Sequence, residues 1–257
     1  MTHIDQYAYF SFLRDVHPGE KFMFALLTMA LVLILNSIVI SVFVAIIMSL
    51  IIIIVARVNY KTFLKLMLLP MGFLIIGCAA VAVSITITPL NFLLSFKIGS
   101  LWIGVTNETL LSSINLFFRA NAAVTCLYFL ALTTPMTQII YVLRKLMVPD
   151  IIIDLMVLIY NNIFVFFKTA NNIYISQVSR CGYNGFMGKL KSLSYLCSNL
   201  FIKCIKNTDE TYNALLSRGF NGELRVIEEE YQPKKRNLAG ILAFDAVIVL
   251  TYFIGRF

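Results

Sequence analysis

Two short stretches of the sequence repeat the same residue types, and each contains an arginine. Residues 179–185 read SRCGYNG and residues 217–222 read SRGFNG, so that Cys181 is one extra residue in the first copy. An arginine side chain presents five N–H donors in a fixed planar fork, which suits a pocket of carboxylates and carbonyls. The chemistry that Arg180 and Arg218 could perform is therefore the recognition of such groups.

The repeated turn has two interpretations. In the first, it only ends two amphipathic helices: Gly182 and Gly219 are placed to adopt the left-handed conformation, and an arginine in the last turn suits the negative end of the helix dipole. This interpretation does not explain why the aromatic residue and Asn-Gly also recur. In the second, two equivalent helix tips present Arg180 and Arg218 to two equivalent pockets, as would suit a symmetric dimeric partner.

The composition predicts an integral membrane protein. The chain has 257 residues, of which 60% are hydrophobic and 13% are charged, whereas soluble proteins average about 25% charged residues. The net charge is +8. Lysine and arginine collect in the cytoplasmic loops of membrane proteins, so this excess requires no nucleic-acid partner.

The apolar segments predict five membrane spans. The run over residues 22–56 is too long for one helix crossing a hydrocarbon core of about 30 Å, and the polar pair Asn36-Ser37 near its middle predicts two short spans with a tight turn. Residues 66–89 and 108–132 form the third and fourth predicted spans, and residues 238–253 form the last.

Basic residues orient these spans. Arg57, Lys61 and Lys65 follow the second span, and Lys234-Lys235-Arg236 precedes the last. Placing both clusters inside puts the N-terminus in the cytoplasm and the C-terminus outside. A long apolar helix after Pro149 could be a further span, but its crossing would move the last cluster outside. We therefore expect it to lie at the cytoplasmic boundary of the membrane.

Three segments follow from this pattern. Residues 1–133 hold about four N-terminal transmembrane helices, residues 134–237 form a cytoplasmic region of long amphipathic helices, and residues 238–257 form a C-terminal transmembrane helix. In the middle segment, Thr134 and Pro135 predict a helix start. The expected fold class is an all-α membrane protein with about five transmembrane helices and long cytoplasmic amphipathic helices.

Two charges lie within predicted spans, Arg119 in the fourth and Asp245 in the last. Ionisable residues inside a membrane are rare and mark candidate functional sites. Their depths differ by about 10 Å at 1.5 Å per residue, which argues against direct pairing. We expect structural roles for both.

The sequence predicts neither a metal site nor a nucleotide site in this chain. His3 and His17 are the only histidines, and His17 before Pro18 fits a turn better than a metal ligand. The five cysteines show neither metal-ligand nor disulfide spacing. The chain contains no G-x-x-x-x-G-K-[ST] loop. We therefore expect it to bind no cofactor and to hydrolyse no ATP.

Several stretches resemble a known family. They are IDQYAYFSFLRDVHPGEKFMFALLT, FFRANAAVTCLYFLALTTPMTQIIYVLRKLMVPDIIIDLMVLIYNNIFVF, SQVSRCGYNG and LLSRGFNGELRV. Their order and spacing are similar to those of the transmembrane T component of energy-coupling-factor (ECF) transporters, specifically the cobalt-transport CbiQ family. The last two stretches resemble the two Ala-Arg-Gly-type motifs of that family.

This resemblance implies a role and a set of partners. The long cytoplasmic helices would be coupling helices that dock into two ATP-binding-cassette ATPase subunits, which hold ATP and Mg²⁺, while a membrane-embedded S component binds the substrate. That component would be a cobalt-binding membrane subunit, with a small accessory subunit as a possible addition. The docking residues would be Ser179, Arg180, Cys181, Gly182, Ser217, Arg218 and Gly219. This sequence departs from the motif in having serine where alanine is common, and in having Cys181 after the first arginine.

Alternatives remain open at this point. The substrate of such an importer could be nickel or a vitamin instead of cobalt. A secondary transporter or channel would need polar groups along a path and inverted repeats within the spans, whereas the repeat here lies in the polar segment. A membrane enzyme would need a catalytic constellation, which this sequence does not show. The expected location is the cell membrane.

Overall fold

The computed structural model describes residues 3–86, 92–98, 101–220 and 235–254. The helices are α1 (His3–Phe10), α2 (Pro18–Leu35), α3 (Ile38–Leu50), α4 (Tyr60–Ala82), α5 (Asn107–Thr133), α6 (Met136–Lys145), α7 (Asp150–Ser179), α8 (Gly185–Ser217) and α9 (Lys235–Ile254), and a π-helical turn over Ile51–Val55 continues α3. The predicted all-α membrane fold is confirmed.

A small antiparallel sheet is the one departure from this fold class within the described residues. Its strands are β1 (Val83–Thr86), β2 (Phe92–Ile98) and β3 (Leu101–Thr106), in the order β1-β3-β2. The third span was predicted to reach residue 89, which is wrong because α4 ends at Ala82 and β1 follows. The β-branched residues of VSIT favour a strand, and pairing with β3 supplies its hydrogen bonds.

By length and composition, five helical segments of the described chain could cross a membrane. Four of them, Pro18–Leu35, Ile38–Val55, Tyr60–Ala82 and Asn107–Thr133, correspond to the first four predicted spans, and the fifth is α7, Asp150–Ser179. α9 covers the predicted last span and has 20 residues, or about 30 Å at 1.5 Å per residue. The protein is therefore a multi-pass membrane protein, while the placement of α7 at the cytoplasmic boundary stays a prediction.

The turn between α2 and α3 forms where it was predicted. Asn36 adopts the left-handed conformation, with φ 46° and ψ 44°, and ends α2. Asparagine tolerates this conformation better than most residues because its short polar side chain can hydrogen-bond locally. Residue Ser37 then starts α3. The apolar run is thus divided into an antiparallel helix pair instead of one long helix.

The chain folds as two compact units, residues 1–139 with 230–257, and residues 140–229. In the first unit, α5 packs against α1, α2, α3 and α4. The core contains Val44, Met48 and Cys126, all fully buried, and Phe24 makes edge-to-face contacts of 5.5 Å with Phe129. Many apolar side chains of α4 face outward instead, as expected of a helix in contact with lipid.

The second unit is built on an antiparallel pair, α7 and α8. Near their connection, Gln177 Nε2 donates to the Ser192 carbonyl at 3.0 Å. At fifteen residues from this bond in each helix, on the side away from the connection, Asn207 Nδ2 donates to Asn162 Oδ1, also at 3.0 Å. The two bonds span about 22 Å of the pair at 1.5 Å per residue. Polar bridges thus join the two helices at two places along their length.

Candidate docking site at two arginine turns

The first arginine turn ends α7 through two backbone bonds. The Gly182 amide donates to the Gln177 carbonyl at 2.9 Å, and the Cys181 amide donates to the Val178 carbonyl at 3.0 Å. This pair of bonds defines a Schellman motif, in which one residue must be left-handed. That residue is Cys181, with φ 55°. The prediction that Gly182 takes the left-handed conformation is therefore wrong.

The second arginine turn ends α8 in the same way. The Phe220 amide donates to the Leu215 carbonyl and the Gly219 amide to the Leu216 carbonyl, both at 3.0 Å. Gly219 has φ 80°, so its predicted left-handed conformation is confirmed. Cys181 is therefore the structural counterpart of Gly219, and not an extra residue in the turn. The Asn-Gly pair that completes the second copy lies outside the described residues.

Gly182 is required for a different reason, which is close packing against α8. A Cβ atom at Gly182 would lie 2.8 Å from Ser192 Oγ and 3.0 Å from the Gln177 carbonyl oxygen. Ser192 Oγ donates to the Gly182 carbonyl at 2.6 Å. Because one of these atoms belongs to the backbone of α7 and the other is held by its bond to the Gly182 carbonyl, only glycine fits without displacing one of them.

Gln177 organises the first turn, and sequence reasoning did not identify it. Its Nε2 donates to the Ser192 carbonyl at 3.0 Å, while its Oε1 accepts from the Tyr183 hydroxyl at 2.9 Å. The Tyr183 ring lies 5.1 Å from the ring of Tyr174. The aromatic residue of the first motif is thus part of the turn's own structure. A glutamine five residues before a glycine carries no pattern that could have revealed this.

The serine that precedes each arginine bonds back to its own helix. Ser179 Oγ donates to the Ile175 carbonyl and Ser217 Oγ to the Asn213 carbonyl, both at 2.9 Å. Neither hydroxyl is left to bind a partner through its proton. Arg180 and Arg218 are exposed and, among the described residues, neither guanidinium has a hydrogen-bond or ion-pair partner. Each turn therefore presents one unused five-donor group.

The two turns lie at opposite ends of α8. This helix has 33 residues, or about 50 Å at 1.5 Å per residue. The first turn comes directly before α8 and the second directly after it. A single globular pocket could not contact both arginines across that distance. The geometry fits two separate binding sites, one for each turn.

Arg119 belongs to α5, and its side chain contacts Asn36, the residue that caps the end of α2. Its NH1 atom donates to Asn36 Oδ1 at 3.2 Å, and Asn115 Nδ2 donates to the same oxygen at 3.0 Å. The last carbonyls of a helix carry partial negative charge, so a cation next to them is stabilising. The Arg119 contact provides a physical basis for the structural role that was predicted for this residue, which stays a prediction.

Asp245 has a different environment. Its side chain is buried in the first unit, and within the described residues neither carboxylate oxygen has a hydrogen-bond partner. It forms no ion pair with Arg119 among those residues. A buried polar group without a partner costs stability instead of adding to it.

Replacing Asp245 with leucine is therefore expected to stabilise the isolated chain by about 1–3 kcal/mol, the cost of an unsatisfied buried polar group. The check is thermal unfolding of purified protein in detergent. Asp245→Asn, which keeps a buried polar group, should stabilise the chain less. A lower unfolding temperature for Asp245→Leu would contradict the expectation and would show that the carboxylate has a stabilising partner.

No metal centre is visible in the part of the chain that the structure describes. No three His, Cys, Asp or Glu side chains there are close enough to hold a metal ion. His17 precedes α2, and its Nδ1 accepts from the Gly19 amide at 3.0 Å. His17 is therefore the N-cap of α2, whereas a turn residue was predicted.

Comparison with known proteins gives consistent matches. A family model described as a cobalt transport protein, CbiQ, matches residues 10–228. An uncharacterized protein of Methanocaldococcus jannaschii is 27% identical over 98% of this chain and 93% of its own length. A putative fused cobalt transport protein CbiMQ of Methanocorpusculum labreanum is 31% identical over 95% of this chain and 41% of its own length. The cobalt transport protein CbiQ of Salmonella typhimurium is 25% identical over 88% of this chain and all of its own length.

Proposed function

Because the chain belongs to the CbiQ family of cobalt transport proteins, we propose that it is the energy-coupling T subunit of an ATP-driven ECF importer for cobalt ions. It would transmit the motion of two ATPase subunits to a substrate-binding membrane subunit, with α7 and α8 as the coupling helices. The chain itself would bind no nucleotide, hold no resident metal and catalyse no reaction.

The observation that carries the proposal is the pair of equivalent, unused arginines. Both stand after the same serine back-bond and before a left-handed residue, and both are exposed. Arginine forms strong bidentate bonds with carboxylates, and two such sites about 50 Å apart suit a dimeric partner better than a monomeric one. The chain has no ATP-binding loop, so a partner must supply the hydrolysis.

The direction of the chain through the membrane follows from the same proposal. The N-terminus and the α7–α8 pair would lie in the cytoplasm, where the ATPases are, with the basic residues of α8 on the same side. The relative named as a fused CbiMQ protein supports a second membrane polypeptide as a partner. In this chain, that partner would be a separate S component.

Co-expression tests this proposal. The chain is produced with the ATPase and membrane proteins encoded beside its gene, purified through a tag on this chain, and assayed for uptake of radioactive cobalt. The expected result is a complex that contains both kinds of partner and takes up cobalt only with ATP. Uptake of nickel or a vitamin instead would revise the substrate, and a chain that purifies alone and transports alone would contradict the proposal.

A further inference from the structure

Lys21 is a buried lysine in the first unit. Its side chain is 3% exposed. Its ammonium group donates to the Leu13 carbonyl at 3.1 Å, to the Thr133 carbonyl at 3.1 Å and to Gln138 Oε1 at 2.7 Å. An ammonium group has three protons, so all of its donors are used. The segment before α2, the end of α5 and the start of α6 thus meet at one nitrogen.

The Thr133 carbonyl explains why a cation is suited to this place. Thr133 is the last residue of α5, and Thr134 after it is extended, with φ −125° and ψ 107°. The last carbonyls of a helix have no intrahelical donor and carry the negative end of the dipole. Lys21 supplies both the missing donor and the complementary charge.

Gln138 makes a second connection from the same point. Its Oε1 accepts from Lys21, and its Nε2 donates to the Arg14 carbonyl at 2.9 Å. Gln138 is 3% exposed. The first turn of α6 is therefore tied by one amide to two places, to α2 through Lys21 and to the segment between α1 and α2 through the Arg14 carbonyl. Nothing in the amino-acid pattern distinguishes Lys21 from a lysine at the membrane surface.

These bonds lie close to the place where the chain passes from the first compact unit to the second. Gln138 immediately precedes the boundary between the two compact units, which falls between residues 139 and 140 within α6. From there the chain continues through α6 into α7 and α8, which carry the arginine turns. Any force that reaches the first unit along this covalent path must pass the residues that Lys21 holds.

We infer that Lys21 is a positioning residue that anchors the start of α6 and so couples motion of the α7–α8 pair to the membrane helices. The inference rests on the proposed function for its transport consequence. The anchor itself follows from the contacts alone. Without it, α6 would turn about the Thr134-Pro135 link instead of moving α5 and α2 with it.

The test is Lys21→Met, which keeps the size of the side chain and removes the charge and all three donors. In the purified complex, we expect both ATPase subunits to remain bound and ATP hydrolysis to continue. The amount of cobalt transported per ATP should fall about tenfold, because three buried acceptors lose the donor that holds α6 in place. Lys65→Met, at an exposed lysine, is the matched control and should change nothing. Gln138→Glu, which keeps the acceptor for Lys21 but loses the donor to the Arg14 carbonyl, should retain part of the coupling, and Gln138→Leu should reduce it further.

Unchanged transport per ATP in Lys21→Met would overturn the inference, and so would a parallel loss of hydrolysis and transport. If Lys21→Met does not fold, Gln138→Leu decides, because it leaves the Lys21 bonds to the Leu13 and Thr133 carbonyls in place. Hydrogen exchange of the purified chain without partners gives an independent readout: residues 133–145 should exchange faster in Lys21→Met than in Lys65→Met. If this holds while the wild-type chain binds no ATPase, the proposed function fails and the anchor stands.

Discussion

Replacing Arg180 and Arg218 together with alanine is expected to leave the chain folded in the membrane but to remove its ATPase subunits. Both side chains are exposed and have no partner among the described residues, so the fold should not depend on them. Buried interface arginines are among the residues that contribute most to binding, and the loss of two should weaken association by about a hundredfold or more. The measurement is the amount of ATPase retained per tagged chain, with cobalt uptake as the second readout.

Two control pairs distinguish the effect of the planar guanidinium group from the effect of positive charge alone. Lys189→Ala with Lys191→Ala removes two exposed positive charges from α8 and should leave the complex intact. Arg180→Lys with Arg218→Lys keeps the charge but not the planar fork, so it should restore binding only in part. Retention of both ATPase subunits and full transport in the double alanine variant would contradict the docking role.

Replacing Gly182 with alanine is expected to disturb the first turn selectively. The new Cβ would lie 2.8 Å from Ser192 Oγ and 3.0 Å from the Gln177 carbonyl oxygen. The serine hydroxyl can rotate away, but the Gln177 carbonyl belongs to the backbone of α7, so the backbone of the turn must shift. Overpacking of this kind costs about 1–3 kcal/mol. The measurements are thermal unfolding and the fraction of complexes that keep only one ATPase subunit.

Cys181→Gly is the matched control in the same turn. Cys181 is in the left-handed conformation, which is unfavourable for residues with a Cβ and free of that cost for glycine. This variant should therefore unfold at the same or a higher temperature and keep both ATPase subunits. If Gly182→Ala and Cys181→Gly had the same unfolding temperature and the same ATPase content, the close contacts of Gly182 would not determine the conformation of the turn.

The arginine turns show how far local sequence reasoning reaches. The helix end at Gly219 could be predicted because glycine is the usual left-handed residue at this position. The same rule pointed to Gly182 and was wrong, since the hydrogen-bond register places Cys181 there. Gly182 is reserved for glycine by its close approach to the Gln177 carbonyl and to Ser192 Oγ in the next helix, and neither contact is visible in the spacing of one turn.

The membrane unit also contains features that the sequence predicted and features that it did not. The turn at Asn36 followed from a polar pair within an apolar run and is confirmed. The end of α4 was placed too late because apolar residues continue into β1, whose strand conformation depends on pairing with β3. The predicted spans come from hydropathy, which registers Lys21 only as a charge at the edge of a helix. Two of its three acceptors, Thr133 and Gln138, lie more than a hundred residues farther along the chain.

A structure of the complete complex would test the central claim most directly. The account predicts that the Arg180 and Arg218 guanidinium groups each lie at hydrogen-bond distance, about 3 Å, from carboxylate or carbonyl oxygens of two different ATPase subunits. Both guanidinium groups facing lipid or open water, with no nucleotide-hydrolysing subunit in contact with either turn, would contradict it.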